Sequence, residues 1–198
     1  ESTRDDLVSR GIDAGRIEVI HCGMDHGRYL RDDPPSRGTD PRIIHLGRLR
    51  RYKSVDVVVR AMRKIRDGFP TATLQIVGDG PDERRLRGLV RKLDLTDAVN
   101  FLGYLPRDEI VDELYRTHLF LNPSPKEGWG LTVIEANDCG VPVVASRRPG
   151  LQDSGREGET GYLAEYGNHQ DFADKALTLL TDPPLWRVMS ENAVRWAR

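Results

Sequence analysis

Apolar residues fall along this chain in short blocks that alternate between two spacings. Residues 42–46, 73–77, 99–102, 118–122 and 142–145 are runs of four or five, apolar on both faces, which predicts buried strands. Between them the apolar positions recur at helical spacing. Ser54 is placed to cap a helix running to about Asp67, with Val55, Val58, Val59, Met62 and Ile65 turned inward. An Arg-rich helix is predicted from Asp82 to about Leu93, another over residues 107–117, and a third over 131–139, stopped by Gly140. Residues 171–180 read as a helix on an Asn168 cap, and a last helix runs from Leu185 after Pro183-Pro184. Upstream, Ser2 is placed to cap a first helix, with Asp5 three residues on and Leu7, Val8 and Ile12 on its apolar side. Residues 17–20 read as a short strand, and 31–42 as a surface loop without periodicity.

Strands apolar on both faces, alternating with amphipathic helices, imply an α/β fold. The expected form is a doubly wound, Rossmann-like parallel sheet with helices on both faces. Ligands in such sheets bind at the carboxyl ends of the strands, so the loops after Leu46, Val77, Leu102 and Asn122 are the places to look for chemistry. The chain holds neither an internal repeat nor a low-complexity tract.

Composition narrows the function classes. Thirty basic and 31 acidic residues give a net charge of −1, which argues against a general nucleic-acid binder but not against a local anion site. Two cysteines, Cys22 and Cys139, are too few for a disulfide framework, so a reduced cytoplasmic setting is expected. No run approaches the roughly 18 apolar residues of a spanning helix, and no signal peptide is evident at the start. The chain opens on Glu1 and stops on Arg198 inside a helical pattern, so the 198 residues are expected to be a piece of something longer.

Two loops carry candidate chemistry. Residues 47–53, Gly-Arg-Leu-Arg-Arg-Tyr-Lys, leave a strand and enter a helix. Gly47 lets a ligand approach the backbone, Arg48 offers a planar fork to phosphate oxygens, and Lys53 offers a compact charge. With 25 arginines and five lysines in the chain, a lysine here is compositionally unexpected. The loop reads as a phosphate site or as a solvated basic turn. The second loop, Pro123-Ser-Pro-Lys-Glu-Gly-Trp-Gly130, turns between a strand and the helix that starts at Leu131. That helix N-terminus suits a phosphate, and Glu127 and Glu135 flank it. Ionised carboxylates accept hydrogen bonds only, so they suit hydroxyls on either side of an anion rather than the anion itself. A nucleotide sugar has that pattern of ribose, diphosphate and sugar. The bland alternative is a pair of surface charges.

Together these motifs resemble the retaining family 4 glycosyltransferases of GT-B fold (group 1 glycosyltransferases). The resemblance rests on Gly47-Arg48-x4-Lys53, on Pro123-Ser124-x-x-Glu127-Gly128-Trp129-Gly130 and on Glu127-x7-Glu135. Smaller echoes are residues 20–25, 77–81, 101–106 and 138–145. The likeness covers nearly the whole chain and points to the C-terminal, donor-binding half of such an enzyme. It implies that Arg48 and Lys53 hold the diphosphate and stabilise its charge as the sugar leaves. It implies that Glu127 binds hydroxyls of the transferred sugar, with Gly128, Trp129 and Gly130 shaping the pocket. Backbone N–H groups near Leu131 and Thr132 would meet phosphate, Glu135 the ribose hydroxyls, and the backbone around Tyr104 and Leu105 the base. Arg48, Lys53 and Glu127 are the implied catalytic set, beside Gly47 and the other donor-binding positions. On this reading residues 1–30 form the junction with a missing N-terminal acceptor domain, 31–182 the nucleotide-sugar-binding domain, and 183–198 a truncated C-terminal helix. The acceptor, a sugar, lipid or small molecule, would bind through the missing half. The co-substrate is a nucleoside diphosphate sugar, with no metal and no other cofactor expected. The expected location is the cytoplasm, with peripheral contact at the inner face of the cell membrane as an option.

The sequence departs from the family at Trp129, where Phe is common, and at His21-Cys22-Gly23-Met24-Asp25, where Asn-Gly-Val-Asp is usual. His21, His45 and His118 have no partner at metal-ligand spacing and read as structural. Cys139 reads as a small core residue, and Gly78-Asp79-Gly80-Pro81 as a tight turn at the pocket edge. Arg60, Arg63, Lys64 and Arg66 read as a solvated helix face, with attraction to anionic lipid as the minor alternative. Two rivals stay open: a non-catalytic nucleotide-sugar-binding module, and an epimerase or sugar phosphorylase on the same scaffold.

Overall fold

The computed structural model describes residues 2–20 and 22–198. Among them, six strands form one sheet: β1 (Arg42–Leu46), β2 (Thr73–Val77), β3 (Val99–Gly103), β4 (Leu119–Asn122), β5 (Val143–Ser146) and β6 (Gly161–Ala164). Every pairing is parallel and the order is β3-β2-β1-β4-β5-β6. The chain winds outward from β1 to β3, then crosses back to β4 and winds the other way. The crevice between the carboxyl ends of β1 and β4 is therefore the topological switch point, where ligands of doubly wound sheets bind.

The helices are α1 (Ser2–Ser9), α2 (Val55–Gly68), α3 (Glu83–Lys92), α4 (Arg107–Tyr115), α5 (Leu131–Asp138), α6 (Leu151–Ser154), α7 (His169–Thr181) and α8 (Pro183–Ala197). On α2, Val55, Val58, Val59, Met62 and Ile65 are fully buried, as their spacing predicts. They pack with residues of α3 and α7 against one face of the sheet. Burying each larger side chain contributes about 1.5–3 kcal/mol relative to exposure. Val111 and Leu114 of α4 and Val133 and Ala136 of α5 cover the opposite face. The Asn168 side chain caps α7 by accepting from the N–H groups of Gln170 and Asp171. Helix α8 ties the two layers together: its Trp186 donates to the His118 carbonyl at 2.8 Å and its Trp196 to the Ser154 carbonyl at 2.8 Å.

Several expectations need correction. Residues 17–20 form no strand and join no sheet among the described residues; they line the cleft instead, and Ile20 is 81% exposed. Helix α1 buries none of its residues, and Ser2 does not cap it: the Ser2 hydroxyl bonds the Asp153 carboxylate instead. Ser54 precedes α2 in a left-handed conformation (φ 56°) without a side-chain capping bond, and its hydroxyl lies 3.1 Å from the Tyr166 hydroxyl. The 31–42 segment is anchored by Arg37, which donates to the carbonyls of Thr117 (2.8 Å) and Cys139 (2.7 Å). Two four-residue elements, β6 and α6, form where the sequence pattern predicts none.

Among the described residues, no helix is long and apolar enough to cross a membrane.

Candidate functional site

A cleft of about 660 Å³ opens at the switch point. The loop after β1 gives it Gly47 and Lys53, and the loop after β4 gives it Ser124, Glu127, Gly128, Trp129 and Gly130. Leu131 and Thr132 open α5 on its wall, where a first helical turn leaves its N–H groups without intrahelical partners. Residues of the N-terminal segment, including Arg4, Ile17, Val19 and Cys22, close the remaining side.

Backbone packing fixes both loops. The Gly47 N–H donates to the Val77 carbonyl at 3.0 Å and the Leu49 N–H to the Asp79 carbonyl at 2.7 Å. The Gly78-Asp79-Gly80 turn thus lies directly on the Gly47 loop: a Cβ at Gly78 would sit 2.1 Å from the Gly47 carbonyl oxygen. The turn read as a pocket edge is the support of the pocket's basic loop. Glu127 is held likewise. Its N–H donates to the Pro149 carbonyl at 3.2 Å, and Gly150 (φ 82°) packs so close that a Cβ there would sit 2.1 Å from the Glu127 carbonyl oxygen.

At the centre, the Lys53 ammonium and the Glu127 carboxylate form an ion pair, Nζ to Oε1 2.6 Å. The side chains are 17% and 22% exposed, well withdrawn from solvent. His45, on β1 two residues before Gly47, is buried beneath them. Burial lowers it to about 4, aided by the nearby Lys53 charge, so the imidazole is neutral near pH 7. Its Nδ1 lies 3.0 Å from the Leu121 carbonyl, which makes Nδ1 the donor and Nε2 a bare acceptor. His45 Nε2 and Ser124 Oγ are buried without a hydrogen-bond partner among the described residues, and both residues line the cleft. The sequence reading of His45 as structural and of Ser124 as a motif position gives neither its place at the cleft floor; a histidine inside an apolar strand is the available signal.

The remaining predicted positions lie apart from this cleft. Arg48 is exposed and pairs with no acidic side chain among the described residues. Tyr104 is 77% exposed at the end of β3, and Leu105 packs against the apolar cluster beside α4. Glu135 sits on α5, where Tyr29 donates to its Oε1 at 2.6 Å and Arg107 approaches the same oxygen at 3.2 Å. Burial, with Glu135 adjoining, raises the Tyr29 phenol well above its usual value, so it stays a donor. The Arg107 guanidinium also bonds the Tyr29 hydroxyl. Oε1 is thus saturated, and nothing in this network takes Oε2.

The histidine and cysteine readings divide similarly. His118 accepts from the Arg42 N–H at 3.1 Å, and burial lowers its affinity for a proton, as suits a structural residue. His21 lies outside the described residues. Cys139 is buried, which pushes its thiol up to about 12 and away from nucleophilic use, while Cys22 is exposed at the cleft. Among the described residues no group of three or more His, Cys, Asp or Glu side chains is placed to hold a metal ion.

Fold and site together define a Rossmann-like α/β half of GT-B architecture with its cleft at the switch point. Residues 28–196 match the family of glycosyl transferases group 1, and the chain belongs to that family. It is 40% identical to N-acetyl-alpha-D-glucosaminyl L-malate synthase of Bacillus anthracis, over 89% of this chain and 48% of that protein. It is 33% identical to D-inositol 3-phosphate glycosyltransferase of Rhodococcus jostii, over 98% of this chain and 46% of the relative. The chain therefore spans about half the length of the curated relatives it matches. Among solved structures, HepE of Anabaena in complex with UDP superposes with a TM-score of 0.88 at 23% identity, over 99% of this chain and 56% of that one. Sucrose-phosphate synthase of Thermosynechococcus elongatus superposes at 0.84 with 28% identity, over 98% and 51%.

Proposed function

We propose that this chain is the donor-binding half of a retaining, family 4 glycosyltransferase that moves a hexose from a nucleoside diphosphate sugar to an acceptor hydroxyl. The observation that carries this reading is the Lys53–Glu127 pair at the switch-point cleft, beside the first turn of α5. A cation and helical N–H groups suit a diphosphate, and a carboxylate next to them suits sugar hydroxyls. One relative carries the name of a glycosyltransferase and the other that of a glucosaminyl malate synthase, which agrees with it.

On this reading Lys53 and the exposed Arg48 stabilise charge on the departing diphosphate. Glu127 orients the sugar, and the free oxygen of Glu135 takes a ribose hydroxyl while Tyr29 and Arg107 hold the other. The backbone around Tyr104 and Leu105 meets the base. The sugar–phosphate bond loosens and the departing phosphate takes the proton of the acceptor hydroxyl on the same face, so the anomeric configuration is kept. No protein nucleophile, metal or further cofactor enters. Residues 1–30 form the junction with an N-terminal acceptor domain, 31–182 bind the donor, and 183–198 form the C-terminal helix. The exposed apolar side chains of Val19 and Ile20 fit such a junction. The whole enzyme would work in the cytoplasm, peripheral to the inner face of the membrane, on an acceptor sugar, lipid or small molecule and without nucleic acid.

Calorimetry of this chain with UDP, GDP and ADP tests the donor site. One of them should bind, weakly, without sugar transfer. No binding of any to the folded chain would count decisively against the assignment. In the full-length protein, Lys53→Ala and Glu127→Ala should each lower turnover by about 10²–10³-fold; near-normal rates in both would refute the residue roles.

A further inference from the structure

We infer that Glu127 makes the cleft discriminate between a nucleoside diphosphate sugar and the bare nucleoside diphosphate, by holding Lys53 in the unloaded site and reclaiming it once the sugar has left. This inference rests on the donor-site reading above and adds a second task for Glu127, the expulsion of one product.

The two cations of the basic loop are in different states. Arg48 lies off the cleft wall, exposed and unpaired with any acidic side chain among the described residues, so no ion pair has to break before it can turn to a phosphate. Lys53 is engaged at 2.6 Å in a pair mostly hidden from solvent. The two partners also differ in freedom. The backbone of Glu127 is pinned between the Pro149 carbonyl and Gly150, and its carboxylate sits on a two-carbon stem with a short reach. Lys53 ends a four-carbon stem and is the partner that can swing.

A diphosphate arriving alone must draw Lys53 away from Glu127. That leaves a partly desolvated carboxylate without its counter-ion and facing a new negative charge, which is strongly unfavourable. A nucleotide sugar brings the remedy with it, because the sugar hydroxyls donate to the same carboxylate. Transfer removes those donors. Glu127 is then stranded again, its pull on Lys53 returns, and the hold on the diphosphate weakens. Loading and release are thus both set by which donors the carboxylate finds.

The test is calorimetric titration of the chain and of Glu127→Gln with UDP, GDP and ADP and with UDP-glucose, GDP-glucose and ADP-glucose. For the base the protein accepts, Glu127→Gln should bind the bare diphosphate about tenfold more tightly than the unaltered chain, and should lose the preference for the glucose conjugate. Glu127→Asp, whose shorter side chain cannot span the present gap, should tighten diphosphate binding in the same direction and guards against a folding defect in one variant. Repeating the Glu127→Gln comparison in a Lys53→Met background separates gating from simple repulsion. There the gain should shrink below threefold, with Arg48 keeping the affinity measurable. An undiminished tenfold gain in that background overturns the inference, as does equal or weaker diphosphate binding by Glu127→Gln. If neither form binds any of the six compounds, the donor-site reading falls, and the inference with it.

Discussion

His45 shows how a single buried side chain sets a chemical state. Its imidazole, lowered to about 4 by burial, compares with about 6.5 for an unfolded histidine. Below pH 6.5 the unfolded chain takes up a proton that the folded chain refuses. The stabilisation is therefore complete above pH 6.5 and is lost as the pH falls toward 4, by about 3 kcal/mol in all. His45→Asn keeps an N–H near the position of Nδ1, able to reach the Leu121 carbonyl, and removes the titrating ring. Urea unfolding at pH 7 and pH 4.5 should show a stability loss about 2–3 kcal/mol smaller in His45→Asn than in the unaltered chain. Equal losses would show that the histidine is not what titrates. None of this was visible in the sequence, where His45 is one polar letter in an apolar run. Its neutral state follows from burial beneath the cleft, and its tautomer from the Leu121 carbonyl, which belongs to a strand far along the chain. The same holds for Glu135: its spacing from Glu127 is plain in the sequence, but its clamping by Tyr29 and Arg107 is not.

At the level of elements, five of the six strands are legible in the sequence, the edge strand β3 among them. β1 and β2 match their predicted bounds because a parallel strand buried on both faces leaves an uninterrupted apolar run that a polar turn ends abruptly. Gly161–Ala164 is a four-residue strand without a β-branched side chain, so nothing local marks it. Residues 17–20 have the opposite problem. Their β-branched composition signals a strand, but a strand needs a neighbour, and none of the described backbone supplies one. The candidate loops were recognised by their charged residues, whereas what supports them is main chain resting on main chain. Gly150→Ala tests that support. With φ at 82° and no room for a Cβ, the substitution should cost about 2–4 kcal/mol of stability, and any folded fraction should bind nucleotide more weakly as Glu127 is displaced. Urea unfolding and calorimetry read the two effects. Unchanged values in both would mean that the Glu127 loop does not depend on this contact.

Across the whole molecule, apolar surface is distributed unevenly. The sheet is covered on both faces, while Val8, Ile12, Val19 and Ile20 of the N-terminal segment stay exposed. Ile20→Ser should therefore alter the stability of this 198-residue chain by less than about 0.5 kcal/mol. In a longer protein that carries the proposed acceptor domain it should destabilise by more than 1 kcal/mol, since the same side chain would then be covered. Differential thermal unfolding of the two forms decides the matter. A large effect in the short chain would place Ile20 in a contact of this half alone.

The β1–β4 switch point also governs the order in which the molecule can assemble. Ile43 pairs with Leu74 across one helix, but with Leu119 only after α2, β2, α3, β3 and α4 have been threaded between them. Each doubling of a closed loop adds about 0.6 kcal/mol of chain entropy, and distant pairings form slowly. The β1–β2–β3 half can therefore gather before the β1–β4 seam closes, and the cleft exists only once it has. A nucleotide added during refolding has nothing to grip in the early species. It would act as a trap for the finished fold, raising the yield of native chain without hastening its formation.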